Sequence, residues 1–257
     1  MRQDDRAAFD RALHGARVSA YAAGEFVGQE SFMTADEIRA LAVQAGIGPA
    51  VRVLDVCCGI GGPGRFLTRE LGCAYLGVDA SASAVAIARE RAGDLPCRFT
   101  TAQLPPLPAG SFDVVLLLET MLAFEDKDAL VREIAAALRP GGRLAFTLEE
   151  GPPLTTAERA AMPDADTVWL TPLDEMAASL QRAGLVVTWQ EDHSHAHRAM
   201  AQALADAFAT DAEDIAAQIG RRALDELLAA HRLWIEWLDE ARVRKLALVA
   251  EREGSAI

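Results

Sequence analysis

Two hydrophobic periods alternate along this chain, and together they predict strands separated by helices. Val51, Val53, Leu54 and Val56 read as a buried strand over 51–56. Phe66, Leu67 and Leu71 then give a helix over 63–71 one apolar face before Gly72 ends it. Further strands are predicted at 74–78, 98–101, 113–118, 143–148, 185–190 and 245–251. Helices are predicted at 5–20, 35–45, 82–92, 128–138 and 172–183, with two or three more over 195–240. Thr34 and Glu37 have the spacing of a capping box, and Ser81 caps the helix that Gly93 ends. Leu130, Val131, Ile134, Ala135 and Leu138 recur at helical spacing until Arg139-Pro-Gly-Gly turns the chain into the next strand. The unbroken run Val114–Leu118 suits a strand covered on both faces. The expected class is α/β, with a doubly wound, mainly parallel sheet.

Composition narrows the partners. Of 257 residues, 51% are hydrophobic, enough for one large α/β domain with an accessory element. Asp and Glu number 38 against 25 Lys and Arg, a formal charge of −13. That balance repels phosphates, so neither nucleic acid nor an anionic membrane is expected as a partner. The start Met1-Arg-Gln-Asp-Asp-Arg lacks the apolar core of a secretory signal. Cys57, Cys58, Cys73 and Cys97 make no disulfide framework and suit the reduced thiols of a cytoplasmic protein, a monomer or homodimer.

Candidate chemistry gathers at the carboxyl ends of the predicted strands, where ligands of doubly wound sheets lie. The turn Gly59-Ile-Gly-Gly-Pro-Gly64 lets a ligand approach main chain, and Asp79 at the tip of the second strand suits ribose hydroxyls. Thr101–Gln103, Glu119 and Glu149 fall in the same cleft, which reads as a nucleoside site. The turn fits the dinucleotide fingerprint literally, but Asp55 at its approach repels a phosphate while suiting a cationic amino-acid tail.

Four stretches, Val53–Gly62, Leu76–Ser81, Pro108–Val115 and Leu138–Gly142, give residues 50–150 their likeness: the chain resembles the class I S-adenosylmethionine-dependent methyltransferases. The resemblance implies a Rossmann-like seven-stranded sheet and S-adenosylmethionine as methyl donor. It implies that Asp55, Cys57, Gly59 and Gly61 face the methionine part of the donor, that Asp79 with Ala80 holds the ribose, and that Ala102 and Gln103 border the adenine. Thr101 stands where many relatives have an adenine-binding acid. Cys57 stands where the family has glycine, and a cysteine there calls for an ordinary negative φ. The segment Tyr21–Ser31 resembles that of amine, phosphoethanolamine and tocopherol methyltransferases, in which it closes over the cofactor; Tyr21, Gln29 and Ser31 are the implied contacts. Glu119 matches those enzymes' acid after the fourth strand, but Ala123 replaces their histidine. The implied layout is an N-terminal helical lid segment (1–50), an α/β core (51–192), a helical cap inserted before the last strand (193–243), and a last strand with tail (244–257).

Methyl transfer is an in-line displacement that rewards alignment and exclusion of water. Glu119 is the best-placed acid, able to bind the cofactor amino group, orient an amine substrate or take its proton, and Glu149 or Glu150 should face the cleft by strand alternation. His193, His195 and His197 alternate as metal ligands would, but no matched carboxylate or thiolate accompanies them, so no metal is expected; one of them is a candidate base. His231 and Trp234 interrupt the aliphatic stripe Leu224, Leu227, Leu228, Ile235, Leu238 and are candidate substrate wall. Arg221, Arg222, Arg242, Arg244 and Lys245 read as a solvated face. The catalytic candidates are therefore Glu119, Glu149, His193 and His231, for N- or O-methylation of a small, partly hydrophobic metabolite. The alternatives are C-methylation of an isoprenoid diphosphate and a non-catalytic S-adenosylmethionine-binding sensor or partner subunit.

Overall fold

Both faces of β1 (Arg52–Val56) are covered, because its neighbouring apolar residues point to opposite sides of the sheet. In the computed structural model, which describes residues 5–254, β1 is the middle of the parallel part of a seven-stranded sheet. On one side lie β2 (Ala74–Asp79) and β3 (Cys97–Thr101). On the other lie β4 (Phe112–Leu117), β5 (Leu138–Glu150), β7 (Arg244–Arg252) and β6 (Leu185–Asp192), giving the order β3-β2-β1-β4-β5-β7-β6. Strand β7 runs antiparallel to both neighbours; the other pairings are parallel. Connections leave β1 in one direction toward β3 and return to β4 on its other side, which opens a crevice at the carboxyl ends of β1 and β4.

Strand alternation feeds two cores. Val53, Val114, Ala145 and Val249 pack under α2 (Ala35–Gln44), α3 (Gly62–Leu71) and α4 (Ala82–Ala92). Leu54, Val115, Phe146 and Leu248 pack under α5 (Lys127–Ala137) and α7 (Leu173–Arg182). Capping fixes the helix starts as expected: Thr34 and Glu37 form a reciprocal capping box on α2, and the Ser81 hydroxyl accepts the Ala84 N–H on α4. A short α6 (Thr156–Ala161) has no counterpart in the sequence pattern, since six residues are too few to show a period. Strand β5 begins earlier than expected. Arg139-Pro-Gly-Gly ends α5 but stays in the strand as an irregular stretch, with Leu138 already paired to Phe112. Gly142 permits this, because a Cβ there would meet the Arg139, Asp113 and Phe112 carbonyls at 2.9–3.1 Å.

The helical cap stands between β6 and β7: α8 (Ser194–Thr210), α9 (Ala212–Ile219) and α10 (Arg221–Asp239). It shares a third core with α1 (Asp5–Ala20), built on Leu13, Ala16, Tyr21, Leu204, Phe208, Ile215 and Leu224. Asp10 of α1, itself buried, receives Arg91 of α4 at 2.5 Å and ties this layer to the sheet domain. Among the described residues all four cysteines are free, and no helix is long and apolar enough to cross a membrane.

One buried acid makes the core sensitive to pH. Asp55 in β1 is 2% exposed and accepts the Tyr75 hydroxyl from β2. Burial pushes its pKa from 3.8 up to about 7; the Tyr75 hydrogen bond opposes the shift and nearby Asp79 adds to it. The folded chain therefore holds a proton there that the unfolded chain has released, and stability falls as pH rises from about 4 to about 7. Denaturant titrations of wild type and Asp55→Asn across that window should diverge with pH, by at most about 1.4 kcal/mol per pH unit. Parallel pH profiles would show that Asp55 is ionised in the folded state.

Candidate active site

Three successive departures from right-handed backbone shape the turn after β1: Cys57 at φ +63°, Gly59 at +54° and Gly61 at +74°. The expectation of an ordinary negative φ at Cys57 is corrected here. Left-handed backbone costs a side-chain-bearing residue about 1–2 kcal/mol, and the turn offsets it with hydrogen bonds. Cys58 N–H donates to Val78 O at 3.0 Å, Gly61 N–H to Cys58 O at 3.0 Å, and Gly59 N–H to Asp79 Oδ2 at 2.9 Å. Asp79 Oδ1 also accepts the Ser81 N–H at 2.8 Å, so its carboxylate stands at the turn with lone pairs to spare. Ala102 N–H reaches Asp79 O at 2.9 Å, which brings Thr101, Ala102 and Gln103 beside Asp79 and Ala80. Asp55 is placed differently from the expectation of a cofactor contact. Its carboxylate is held by Tyr75 inside the sheet, where Gly64 makes room because a Cβ there would overlap the Tyr75 ring.

The lid segment lies directly on this turn. A Cβ on Gly62 would overlap the Gly28 backbone. Gln29, 2% exposed, holds the segment together: its Oε1 accepts Val27 N–H at 2.7 Å and its Nε2 donates to the Glu25 and Met33 carbonyls at 2.8 Å. The Tyr21 hydroxyl donates to Ser31 O at 2.5 Å, and Ser31 Oγ accepts Met33 N–H at 3.3 Å. These polar groups of Tyr21, Gln29 and Ser31 thus shape the lid, while the three residues also line a cavity beside it.

That cavity, of about 240 Å³, lies between the lid, the cap and the carboxyl ends of β4 and β5. Phe32, Leu122, Leu204, Phe208 and Trp234 make its apolar walls, and Glu119, Glu149 and Lys245 its charged floor. Lys245 was expected on a solvated face; it is 4% exposed and donates to Glu119 Oε2 at 2.9 Å and Glu149 Oε1 at 2.8 Å. The antiparallel register sets Lys245 directly opposite Glu149, a relation invisible until β5 and β7 are paired. Its ammonium lies 5.1 Å from the ring centroids of both Phe32 and Trp234, so lid and cap meet on one cation. Arg242 also leaves the predicted solvated face, pairing with Glu158, while the Arg244 side chain stays 42% exposed and pairs with Glu150.

Charge states on the floor follow from these contacts. Burial alone would raise the Glu119 pKa, but the Lys245 ammonium and His197 outweigh it and hold the carboxyl below its usual range. Burial would lower Lys245, and Glu119 with Glu149 reverse that and raise it. Glu119 Oε1 and Glu149 Oε2 are buried without a hydrogen-bond partner. The Glu119 backbone is left-handed at φ +56°, with its N–H bonded to Thr147 Oγ1 at 2.5 Å. His231, 9% exposed, places Nδ1 2.9 Å from Leu227 O, a pure acceptor, so Nδ1 carries the proton and Nε2 a lone pair. Burial depresses its pKa and keeps the ring neutral.

His193 is not in this cavity. Helix α8 starts at Ser194, so His193 and His197 fall one turn apart while His195 is exposed. Both buried rings meet Glu37 of α2, which sequence reasoning did not select because it lies 160 residues from His197. The two imidazoles that face its oxygens overcome burial and hold Glu37 well below the usual carboxylate range.

Residues 53–142 match the family model described as a methyltransferase domain. The chain carries a class I methyltransferase domain. The cofactor of that class is S-adenosylmethionine. Over 170 residues, 61% of the chain, it is 32% identical to the methyltransferase GfsG of Streptomyces halstedii, spanning 60% of that protein. Over 154 residues it is 35% identical to a 27-O-demethylrifamycin SV methyltransferase of Amycolatopsis mediterranei, spanning 57% of it. The alignments thus cover under two thirds of either relative. Among solved structures, the [4+2]-cyclase SpnF superposes with TM-score 0.76 at 23% identity over 98% of this chain and 97% of that one. The cyclopropane synthase MmaA2 of Mycobacterium tuberculosis gives TM-score 0.79 at 13% identity over 95% and 94%. These likenesses show the fold and reach across the methyltransferase domain, the lid and the cap.

Lid docking is directly testable. Gly62→Ala adds a methyl group where the Gly28 backbone lies, so it should lift the segment 24–31 from the turn without unfolding the sheet. Amide exchange should then quicken in 24–31 and stay unchanged in β1, β4 and β5. Unchanged exchange in the segment would show that the lid does not rest on the turn in solution.

Proposed function

We propose that this protein transfers a methyl group from S-adenosylmethionine to a hydroxyl or amine of a small, partly hydrophobic acceptor. The observation that carries the reading is the union of two features at one sheet edge: a glycine turn with Asp79, and an adjoining cavity with a charged floor and apolar walls. The turn fits the cofactor. Successive left-handed residues expose main chain, and Asp79 retains acceptor capacity for two ribose hydroxyls. Gly59, Gly61, Asp79, Ala80, Ala102 and Gln103 would hold it; bound there, it supplies a methyl group on a positively charged sulfur.

The chain's own residues align the acceptor and receive its proton. Glu119, kept ionised by Lys245, accepts a hydrogen bond from the acceptor's O–H or N–H and takes that proton as the new bond forms. His231 Nε2 is the neutral alternative acceptor on the opposite wall. Phe32 and Trp234 shield the floor from water and present π faces to positive charge. A second cavity of about 610 Å³, lined in part by Phe9, Ile219, Ala223 and Leu227, shares Arg17, Glu30, Leu227 and Ala230 with the inner one. An acceptor with an extended apolar body therefore fits with its reacting end inward and its body between α1 and α10. The protein is read as acting without nucleic acid or membrane, in the cytoplasm, in keeping with its acidic charge.

Two measurements check this. Calorimetry with S-adenosylhomocysteine should show that Asp79→Ala weakens binding by about 1–3 kcal/mol, roughly 5- to 150-fold; undiminished affinity would remove the ribose role. Release of S-adenosylhomocysteine should then identify an acceptor in a panel of hydroxyl- and amine-bearing apolar compounds. With that acceptor, Glu119→Gln should lower kcat by about 100-fold or more while cofactor affinity holds. Full turnover in Glu119→Gln would transfer the proton role to His231, and binding without turnover across the panel would favour a sensor or partner subunit.

A further inference from the structure

The cluster behind the cavity floor has the composition and spacing of a metal site. His193 Nδ1 lies 3.0 Å from Glu37 Oε1, and His197 Nε2 lies 3.3 Å from Glu37 Oε2. One ligand atom from each of the three residues falls within 4.8 Å of the others. Ligands held about 2.1 Å from a common ion stand roughly 3.0–3.4 Å apart, across octahedral to tetrahedral arrangements. Both imidazoles are buried, at 7% and 2% exposure, and His193 Nδ1, His193 Nε2 and His197 Nδ1 have no aligned hydrogen-bond partner. Buried polar nitrogens left in this condition are costly unless something binds them.

The outer contacts point the same way. A histidine that binds a metal through one nitrogen almost always turns the other toward a carboxylate or carbonyl. Here each ring does so: His193 Nε2 faces Glu191 Oε2 at 3.4 Å, and His197 Nδ1 faces Glu119 Oε1 at 3.7 Å. Glu37 is steadied in turn by the Thr34 N–H, which donates to its Oε2 at 2.8 Å. Three carboxylates, Glu37, Glu119 and Glu191, face the two rings, and the Lys245 ammonium is bonded to one of them, Glu119. Carboxylates facing the two rings outnumber the nearby Lys245 ammonium, and that charge balance favours a divalent cation.

We propose that Glu37, His193 and His197 bind one divalent transition-metal ion, with zinc the best match to two imidazoles and a carboxylate. The ion clamps the start of α2 to the junction of β6 and α8. Its outer ligand contact Glu119 belongs to the cavity floor, so the metal also steadies the carboxylate that faces the acceptor. Binding of the ion does not depend on the methyl-transfer reading, since its measurement needs neither cofactor nor acceptor.

The test is metal titration of the full chain after exhaustive dialysis against a chelator. Calorimetry with Zn²⁺, and visible absorption with Co²⁺, should each saturate at one ion per chain. His197→Ala should weaken binding by about 100-fold or more, and Glu191→Gln, which changes only an outer contact on an exposed residue, by about 10-fold. His195→Ala, exposed and one position off the ligand face, should bind as wild type does. If His197→Ala fails to fold, Glu191→Gln carries the test. Absence of saturable Zn²⁺ or Co²⁺ binding in the dialysed wild type, or equal binding in the histidine and Glu191 variants, overturns the proposal and leaves a hydrogen-bonded imidazole–carboxylate cluster.

Discussion

A buried ammonium between two carboxylates organises the working end of this molecule. Lys245 reaches Glu119 at the end of β4 and Glu149 near the end of β5, and it is 4% exposed. Removing such charges from water costs several kcal/mol per ion, which short, well-directed hydrogen bonds must offset. The arrangement is therefore a constraint on geometry more than a source of stability. It fixes where two carboxylates stand, keeps one of them ionised, and draws an aromatic ring from the lid and another from the cap onto the same cation.

From that constraint follows a division of labour along the sheet edge. The left-handed turn after β1 and Asp79 at the tip of β2 form a surface of main chain and carboxylate suited to a nucleoside. Beyond β4 the surface changes to a charged floor beneath apolar walls, suited to an acceptor. The lid spans both: its Gly28 lies on Gly62 of the turn, and its Phe32 faces Lys245. One segment thus covers both neighbouring parts of the sheet edge. The broad structural likeness to a [4+2]-cyclase shows that this fold alone does not decide the chemistry.

Local patterns in the sequence carried the fold well. Strands with alternating cores, the Thr34–Glu37 capping box, the Ser81 cap and the glycine turn depend on neighbours within a few residues, and each appears where its pattern places it. That Glu119, Glu149 and His231 would gather at one cleft was also legible, because strand ends and an interrupted helical stripe mark a cleft in this fold. What escaped depends on distant contacts. Lys245 looks solvated until β7 is registered against β5, and Glu37 looks like a simple capping residue until α8 brings two histidines to it. Cys57 departs from expectation for a related reason: a side-chain-bearing residue accepts left-handed backbone when hydrogen bonds donated to β2 over-determine the turn. Gln29 and Asp55 carry implied ligand roles, but the Gln29 amide bonds the lid backbone and Asp55 Oδ2 accepts from Tyr75.

On the proposed reading, the nucleoside turn and the charged cavity form one continuous site. A crystal structure of the complex with S-adenosylhomocysteine addresses it most directly. The account predicts the ribose at Asp79 and the sulfur directed into the cavity bounded by Glu119, Lys245 and Trp234. A ligand whose sulfur points away from that cavity, or one bound elsewhere on the sheet, would contradict it.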